Sequence, residues 1–166
     1  MSKSKKSPRR QGRERAFQVL FGWNFFPNPH KESVRTTFEN FVQVRENGPR
    51  SELANSFAWG LVSGVVDNLE ELDEVIMGFS RNWRLDRIAR IELTILRLAL
   101  YEMLYRHDIP MKVGINEGIE LSKKFGDEKS SRFVNGILDA AAERIRTGQL
   151  KRSEDDGREP EPVGAD

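Results

Sequence analysis

The chain has 166 residues, a formal net charge of +1 at neutral pH and no cysteine. This length is enough for one domain with a buried core, and the missing thiols exclude disulfides and thiolate metal sites. The amino-terminal run lacks the apolar segment of a signal peptide, and no stretch approaches the about eighteen apolar residues of a transmembrane helix. We therefore expect a cytoplasmic protein without membrane contact.

The near-neutral net charge conceals opposite charges at the two ends of the chain. Residues 1–15 contain seven Lys or Arg and one Glu, whereas residues 153–166 contain six Asp or Glu and one Arg. A basic arm indicates a polyanionic partner, and nucleic acid is the first class to consider. The segment 151–166 has too few apolar residues to form a core, so we expect it to be a disordered acidic tail.

Apolar residues at helical spacing predict helices throughout the chain, and no alternating pattern predicts a strand. Ser7 and Pro8 suit the N-cap and the first position of a first helix, which a proline-rich turn ends after residue 23. A second helix is predicted over about residues 32–44. The third is predicted as one continuous helix over about residues 51–79.

Three further helices are predicted in the second half of the chain. The fourth, over about residues 85–105, is apolar on nearly every face, which predicts a central helix covered by others. The fifth is predicted over residues 112–125, with Gly126 at its C′ position. The sixth is predicted over residues 130–147, and Gly148 is expected to end it.

These helices fall into two groups of three, joined by a short link near residues 80–85. The link is too short and too apolar for a flexible linker, so the two groups are expected to share a packed interface. The predicted class is therefore all-α. We expect a compact bundle of two helical subdomains, about 8–79 and 85–147, within a single domain of residues 1–150.

The arginines near the amino terminus are the sharpest local signal for a nucleic-acid partner. At about 100° per residue, Arg9, Arg10 and Arg13 lie on one side of the first helix, together with Leu20 and Trp23. A cationic row that prolongs an apolar stripe predicts a helix whose first two turns extend beyond the core. Arginine there suits phosphate contacts and stacking on bases. The alternative interpretation is a frayed, solubilising terminus.

A second basic group surrounds the turn between the fifth and sixth predicted helices. It consists of Lys123, Lys124, Lys129 and Arg132. Two interpretations stay open, because such a group can meet RNA phosphates or can simply solvate a loop.

Catalytic sites are not indicated by the sequence. The motifs GxGxxG, GxxxxGK and HExxH are absent, and His30 and His107 lack metal-ligand spacing. Glu117 and Glu120 lie about one helical turn apart without a neighbouring nucleophile. We therefore expect no catalysis, no metal site and no cofactor.

Three segments together resemble the NusB family. They are RRQGRERAFQVLFGWN, ARIELTILRLALYEMLY and IPMKVGINEGIELSKKFGDEKSSRFVNGILD, within roughly residues 8–146. The third segment is the most specific. The resemblance implies an all-helical fold and binding to boxA RNA of ribosomal RNA operon leaders and phage transcripts. It also implies pairing with the ribosomal protein NusE, in a complex with RNA polymerase and other antitermination factors.

The resemblance also assigns roles to individual residues. The RNA-binding arginines of the family map onto Arg9, Arg10, Arg13 and Arg15, and the positions linked to NusE map onto Phe21, Asp86 and Glu92. We expect Asp86 and Glu92 to lie on neighbouring faces of one helix. Two positions depart from the family: a Tyr is known at Phe21, which lacks the hydroxyl donor, and an acidic residue is known at Lys129. The Lys adds a charge for phosphate.

Three classes of function stay open on the sequence alone. They are an RNA-binding antitermination factor, a protein-only helical scaffold with an incidental basic arm, and an enzyme of unrecognised type. Salt-dependent binding to a short RNA separates the first two classes, and turnover of a substrate would support the third. A monomer and a homodimer are equally compatible with the sequence, because an amphipathic helix hides its apolar face in either.

Overall fold

The computed structural model describes residues 6–27, 29–43, 48–79 and 84–154, and every regular element within these ranges is helical. The α-helices are α1 (Pro8–Trp23), α2 (Lys31–Gln43), α3 (Pro49–Asp67), α4 (Leu69–Gly78), α5 (Arg90–Tyr105), α6 (Met111–Phe125) and α7 (Glu128–Arg146). The predicted all-α class is confirmed. Within the described ranges, no helix combines the length and apolar character needed to cross a bilayer.

Contacts within the chain divide it into two units, and the division falls inside α3, between Ser63 and Gly64. The first unit contains α1, α2 and most of α3, and the second contains the end of α3 and α4 to α7. The sequence predicts a link between two groups of helices near residues 80–85, of which residues 80–83 lie outside the described residues.

In the second unit, α4 packs on α5, and an ion pair joins the two helices. The Nε and Nη2 atoms of Arg97 lie 2.8 and 2.9 Å from the two carboxylate oxygens of Asp73. The end of α3 also contacts α5, because a side chain at Gly64 would overlap the ring of Tyr101, with a Cβ only 2.0 Å from its Cζ atom. These contacts place the end of α3 and all of α4 with the second unit.

The first helix begins where the sequence predicts. Ser7 is its N-cap, and the Ser7 hydroxyl accepts a hydrogen bond of 3.2 Å from the backbone N–H of Arg10. Trp23 is buried at the other end, where its indole N–H reaches the carbonyl of His30 at 3.3 Å and the hydroxyl of Ser33 at 3.2 Å. These two bonds fix the turn from α1 into α2.

The helix α5 is the central element of the second unit, as its all-round apolar pattern predicts. It contacts α4, α6 and α7. Ile95, Leu96, Leu100 and Met103 are completely buried. At Gly118 of α6, an added Cβ would lie only 3.0 to 3.1 Å from side chains of α7 and α5, so this glycine allows three helices to meet closely.

The prediction of one helix over residues 51–79 is wrong, because α3 and α4 are separate helices that meet at Asn68. The side-chain amide of Asn68 donates to the carbonyl oxygen of Gly64 at 2.8 Å, and the Asn68 backbone N–H reaches the same oxygen at 3.1 Å. A side chain that bonds its own preceding turn competes with the helical pattern. The backbone at Asn68, with φ −113° and ψ 19°, accordingly leaves the helix.

The predicted helix over residues 85–105 is also divided. A short 3-10 helix spans Leu85–Arg87, and α5 begins only at Arg90. Ile88 and Ala89 between them have extended backbone angles, with ψ of 131° and 139°. Asp86 and Glu92 therefore lie on different elements, and the expectation that they share neighbouring faces of one helix is wrong.

The two glycines that were expected to end helices behave differently. Gly148 has a φ of +79°, so the predicted stop after α7 is confirmed. Gly126 instead has extended angles, with φ −111° and ψ −152°, so the C′ prediction is wrong. A Cβ at Gly126 would lie 2.9 Å from the Ser122 carbonyl and from the Ser130 Cβ, which explains the glycine by close packing.

The segment after α7 hydrogen-bonds to the end of α5. The Arg152 Nε donates to the Met103 carbonyl at 2.8 Å, and the Ser153 N–H and hydroxyl reach the Leu104 carbonyl at 2.9 and 3.0 Å. These bonds satisfy carbonyl groups that a helix end leaves without a partner. Residues 151–154 are thus held by α5, whereas residues 155–166 of the predicted acidic tail lie outside the described residues.

Candidate nucleic-acid interface

The four arginines of the amino-terminal arm differ in exposure. We use the name arm for residues 6–15, which include the first two turns of α1. The side chains of Arg9 and Arg10 are exposed, Arg15 is half-buried, and only 4% of Arg13 is exposed. The row of positive charge predicted from the sequence is therefore divided between solvent and the interior of the first unit.

Arg13 packs on an aromatic ring of α3. Its guanidinium carbon lies 5.1 Å from the centroid of the Phe57 ring, and the guanidinium carbon of Arg9 lies 5.1 Å from the same centroid. A guanidinium group at this distance from a ring is attracted by the ring quadrupole. Phe57 therefore attracts one buried and one exposed arginine of the arm.

Arg15 also bonds to α3, but through polar groups. One of its terminal nitrogens, Nη1, lies 2.7 Å from the side-chain oxygen of Asn55, and 3.1 and 3.2 Å from the carbonyl and hydroxyl oxygens of Ser51. Ser51 is itself buried. The guanidinium of Arg15 is therefore held at the surface of α3.

The beginning of α1 has two further links. The Lys6 Nζ lies 2.7 Å from a carboxylate oxygen of Glu14, which joins the residue before the N-cap to the second turn. Arg50, in the first turn of α3, donates a hydrogen bond to the backbone carbonyl of Lys6. The arm is thus connected to α3 from its first described residue.

The predicted overhang of α1 beyond the core is wrong, because its second turn packs closely on α3. A Cβ added at Gly12 would lie 2.8 Å from the carbonyl oxygen of Ala54 and 2.8 Å from Cδ1 of Phe57. Only glycine allows this approach, since such distances are shorter than van der Waals contact. What extends to solvent is the first turn, with Arg9 and Arg10.

The second basic group lies where α6 ends and α7 begins, and we call it the basic turn. Lys123 and Lys124 are in the last turn of α6, Lys129 and Arg132 are in the first turns of α7, and all four are exposed. The Lys123 Nζ lies 3.7 Å from a carboxylate oxygen of Glu120. The structure therefore brings these four predicted residues to one helix junction within the second unit.

An acidic cap lies in the middle of the basic turn. The carboxylate of Asp127 accepts a 2.8 Å hydrogen bond from the backbone N–H of Ser130 and is the N-cap of α7. This bond from Ser130 and a second from its side chain lower the pKa of Asp127 below its usual value. The lowered pKa keeps the Asp127 carboxyl group ionised in the folded state, so the basic turn contains a negative charge among its positive ones.

The residues that the resemblance linked to NusE lie in both units. Phe21, in the first unit, is half-buried, with its ring 5.7 Å from that of Phe17 and 5.0 Å from that of Phe25, which is 56% exposed. Asp86 is exposed in the 3-10 helix of the second unit, and its Oδ1 atom lies 3.6 Å from Nε of Arg84. Glu92 is half-buried in the first turn of α5.

Sequence reasoning missed the residues of α3 that hold the arm, namely Ser51, Asn55 and Phe57. One signal was available, because Gly12 and Arg13 lie on the apolar side of α1, which indicates contact with a neighbouring helix rather than with solvent. Among the described residues, no cluster of three or more His, Asp or Glu is arranged to hold a metal ion.

Comparisons with known proteins agree over most of the chain. The NusB family model matches residues 10–143. A transcription antitermination protein NusB from Oleidesulfovibrio alaskensis is 50% identical over 149 residues, which cover 90% of this chain and 96% of that protein. The structure of T. maritima NusB has a TM-score of 0.67 at 31% identity, and the match covers 88% of this chain and 100% of that one.

One further structure, of antitermination factors NusB and NusE in complex with dsRNA, contains a similar chain. Its TM-score is 0.65 at 29% identity, with coverage of 82% of this chain and 96% of that chain. The family model, the sequence relatives and the all-helical structures lead to the same assignment. The chain belongs to the NusB family of transcription antitermination proteins.

Proposed function

We propose that the chain is an antitermination factor that binds boxA RNA of ribosomal RNA operon leaders together with NusE. In this proposal it acts in the cytoplasm, within a complex that contains RNA polymerase and other antitermination factors, and it acts by binding without catalysis. The observation that carries the proposal is the exposed pair Arg9 and Arg10 on a helix that is packed on α3, in a chain of the NusB family.

The proposed RNA contacts lie on two surfaces, the arm of the first unit and the basic turn of the second. Arg9 and Arg10 present planar guanidinium groups, which can bond phosphates through two donors and stack on bases. The four cations of the basic turn add sequence-independent attraction for phosphates. Arg13 and Arg15 belong to the same arm, but their guanidinium groups contact α3.

The RNA part of the proposal is tested by titrating boxA RNA and a scrambled RNA of equal length, each with and without NusE. We expect tighter binding of boxA, a further gain with NusE and a steep dependence on salt. Lys112→Ala is the control, because it removes an exposed charge outside both RNA surfaces. If the wild-type protein binds neither RNA at any salt concentration, the protein-only scaffold becomes the better interpretation.

The residues proposed to contact NusE are Phe21 in the first unit and Asp86 and Glu92 in the second. Phe21 offers an aromatic surface that continues onto the exposed ring of Phe25. The two carboxylates are suited to basic groups of the partner, as opposite charges across an interface favour association. The related structure of NusB and NusE in complex with dsRNA supports NusE as a partner of this chain.

Charge reversal tests the proposed contact between Glu92 and NusE. Glu92→Lys should raise the Kd for NusE about tenfold, because it replaces an attraction by a repulsion. Glu70→Lys is the matched control, since Glu70 is an exposed carboxylate on α4 of the same unit. Calorimetric titration of NusE measures both constants, and far-UV circular dichroism checks that both variants are folded. Equal constants for the two variants would remove Glu92 from the interface.

A further inference from the structure

The arm is attached to α3 by side chains that are not among the proposed RNA contacts. We propose that Phe57, Asn55 and Ser51 of α3 are positioning residues, which hold Arg13 and Arg15 so that Arg9 and Arg10 are presented to RNA in one orientation. The inference rests on the proposed function, because it concerns RNA bound at the arm. It divides the four arginines into two that contact RNA and two that fix the helix.

The burial of Arg13 is the first observation. With only 4% of the residue exposed, its guanidinium cannot bond a phosphate unless it leaves the ring of Phe57. Arg9 lies over the same ring and is exposed, so one aromatic side chain links the buried and the exposed arginine. A shift of Phe57 would therefore disturb the arginine that faces solvent.

The bonds of Arg15 are the second observation. Its Nη1 atom is within 3.2 Å of three oxygens of α3, one from Asn55 and two from Ser51. Two of these oxygens are acceptors on short side chains and one is a backbone carbonyl, so their positions are set by α3 itself. Because three oxygens of α3 surround one nitrogen of Arg15, these bonds limit the rotation of α1 about its own axis.

The close contact at Gly12 is the third observation. Together with the link from Arg50 to the Lys6 carbonyl, it brings the first two turns of α1 against α3 at separate points. An isolated helix of this length is unstable in water, so tertiary contacts are needed to keep the arm helical. A preorganised arm loses less conformational freedom when it binds RNA, which increases affinity without any new contact.

Variants at three positions test the division of roles. Arg10→Ala removes a proposed phosphate contact, so the slope of log K against log salt should flatten by about 0.7 on single-stranded RNA. Arg13→Lys keeps the charge but loses the planar stacking on Phe57, and Asn55→Ala removes an acceptor for Arg15 without changing any charge. Both should weaken boxA binding roughly threefold to tenfold with an unchanged slope, by a loss of preorganisation.

Hydrogen exchange of the α1 amides, with matched variants, separates positioning from a general loss of stability. Arg13→Lys and Asn55→Ala should accelerate exchange in the first two turns of α1 but not in α5. Asn55→Asp, which keeps the acceptor oxygen, should restore slow exchange. Asn40→Ala is the control, because it removes an exposed amide on α2 of the same unit.

The outcomes distinguish this inference from the proposed function. If the wild-type protein binds boxA, and Arg13→Lys and Asn55→Ala bind it equally well, the positioning role is overturned and the proposed function stands. A slope that flattens in Arg13→Lys as much as in Arg10→Ala would also overturn the positioning role. If the wild-type protein binds no RNA, the proposed function fails, and the inference fails with it.

Discussion

The arm and the basic turn contain the same number of proposed RNA-binding cations, but they hold them differently. In the arm, all four are arginines, and three of them, Arg9, Arg13 and Arg15, contact side chains of α3. In the basic turn, three are lysines, all four are exposed, and the carboxylate of Asp127 lies among them. Lysine is a point charge on a flexible stem, whereas arginine presents donors in a fixed plane.

This difference suggests separate contributions to binding. Charges fixed in direction can set the register and orientation of an RNA strand, because the geometry of their donors is defined before binding. Mobile charges attract phosphates at any sequence and mainly raise affinity at low salt. A count of the proposed RNA-binding cations rates the two regions equally, whereas the residue types and the contacts of the side chains distinguish them.

The largest effect is expected when the arm is separated from α3. Gly12→Ala places a Cβ 2.8 Å from a backbone carbonyl, so we expect a loss of about 1–3 kcal/mol in stability and weaker RNA binding. In Gly22→Ala, on the same helix, the new Cβ would have no packing neighbour within 4 Å beyond the adjacent backbone of its own helix. That control should be neutral or stabilised by about 0.5–1 kcal/mol. Thermal melting and boxA titration measure both, and an unaltered Gly12→Ala protein would contradict the close contact.

A smaller effect is expected when charge alone is removed. The double variants Arg9→Ala with Arg10→Ala, and Lys123→Ala with Lys124→Ala, each lose two positive charges. If both regions meet phosphates, each pair should flatten the salt slope by about 1.4 on single-stranded RNA. Only the arm pair should also reduce the preference for boxA over a scrambled sequence. A loss of preference confined to the lysine pair would reverse the roles that we assign to the two regions.

The smallest effect concerns the caps of α1 and α7, which differ in charge. Ser7→Ala and Asp127→Ala should each lower the Tm at neutral pH by about 2–4 °C through the loss of a cap. The pKa of Asp127 is lowered in the folded state, so its contribution is present above the usual value of 3.8 and is lost as the pH falls through the lowered value. The Tm difference for Asp127→Ala should therefore shrink in acid, whereas that for Ser7→Ala should not.

Melting curves of both cap variants and the wild-type protein over a pH series provide the measurement. Asp127→Asn serves as the control, because Asn caps a helix without titrating. A constant difference between the wild-type protein and Asp127→Ala down to strongly acidic pH would show that the carboxylate charge contributes nothing to the cap.

Local signals made much of the fold predictable from the sequence. The start of α1 followed from Ser7 and Pro8, and the central position of α5 followed from its apolar faces, because caps and periodicity are properties of neighbouring residues. The break at Asn68 was not predictable in this way. The apolar residues of α4 begin at Leu69 and almost continue the helical spacing of the apolar residues of α3. The Asn68 side chain could point to solvent within one long helix or bond to the Gly64 carbonyl, and the sequence does not decide between these conformations.

The arm illustrates the same limit for the site. The sequence placed Arg13 on the side of Leu20 and Trp23, which is correct, but it could not show that α3 extends alongside this turn. The ring that covers Arg13 belongs to Phe57, 44 residues later in the chain. Exposure of an arginine is set by such distant partners, so the roles of Arg9 and Arg13 could be separated only once the packing of α3 was known.

The hydrogen bonds of Arg152 and Ser153 to α5 have a practical consequence for trimming the protein. A chain cut after Glu154 keeps every bond to the carbonyls of Met103 and Leu104, whereas a chain cut after Leu150 loses all of them. The second cut would leave these carbonyls at the end of α5 without their bonds to Arg152 and Ser153, so the last turn of α5 should fray more readily. Residues 151–154 belong by composition to the acidic tail, but a truncated protein should keep them to preserve the end of α5.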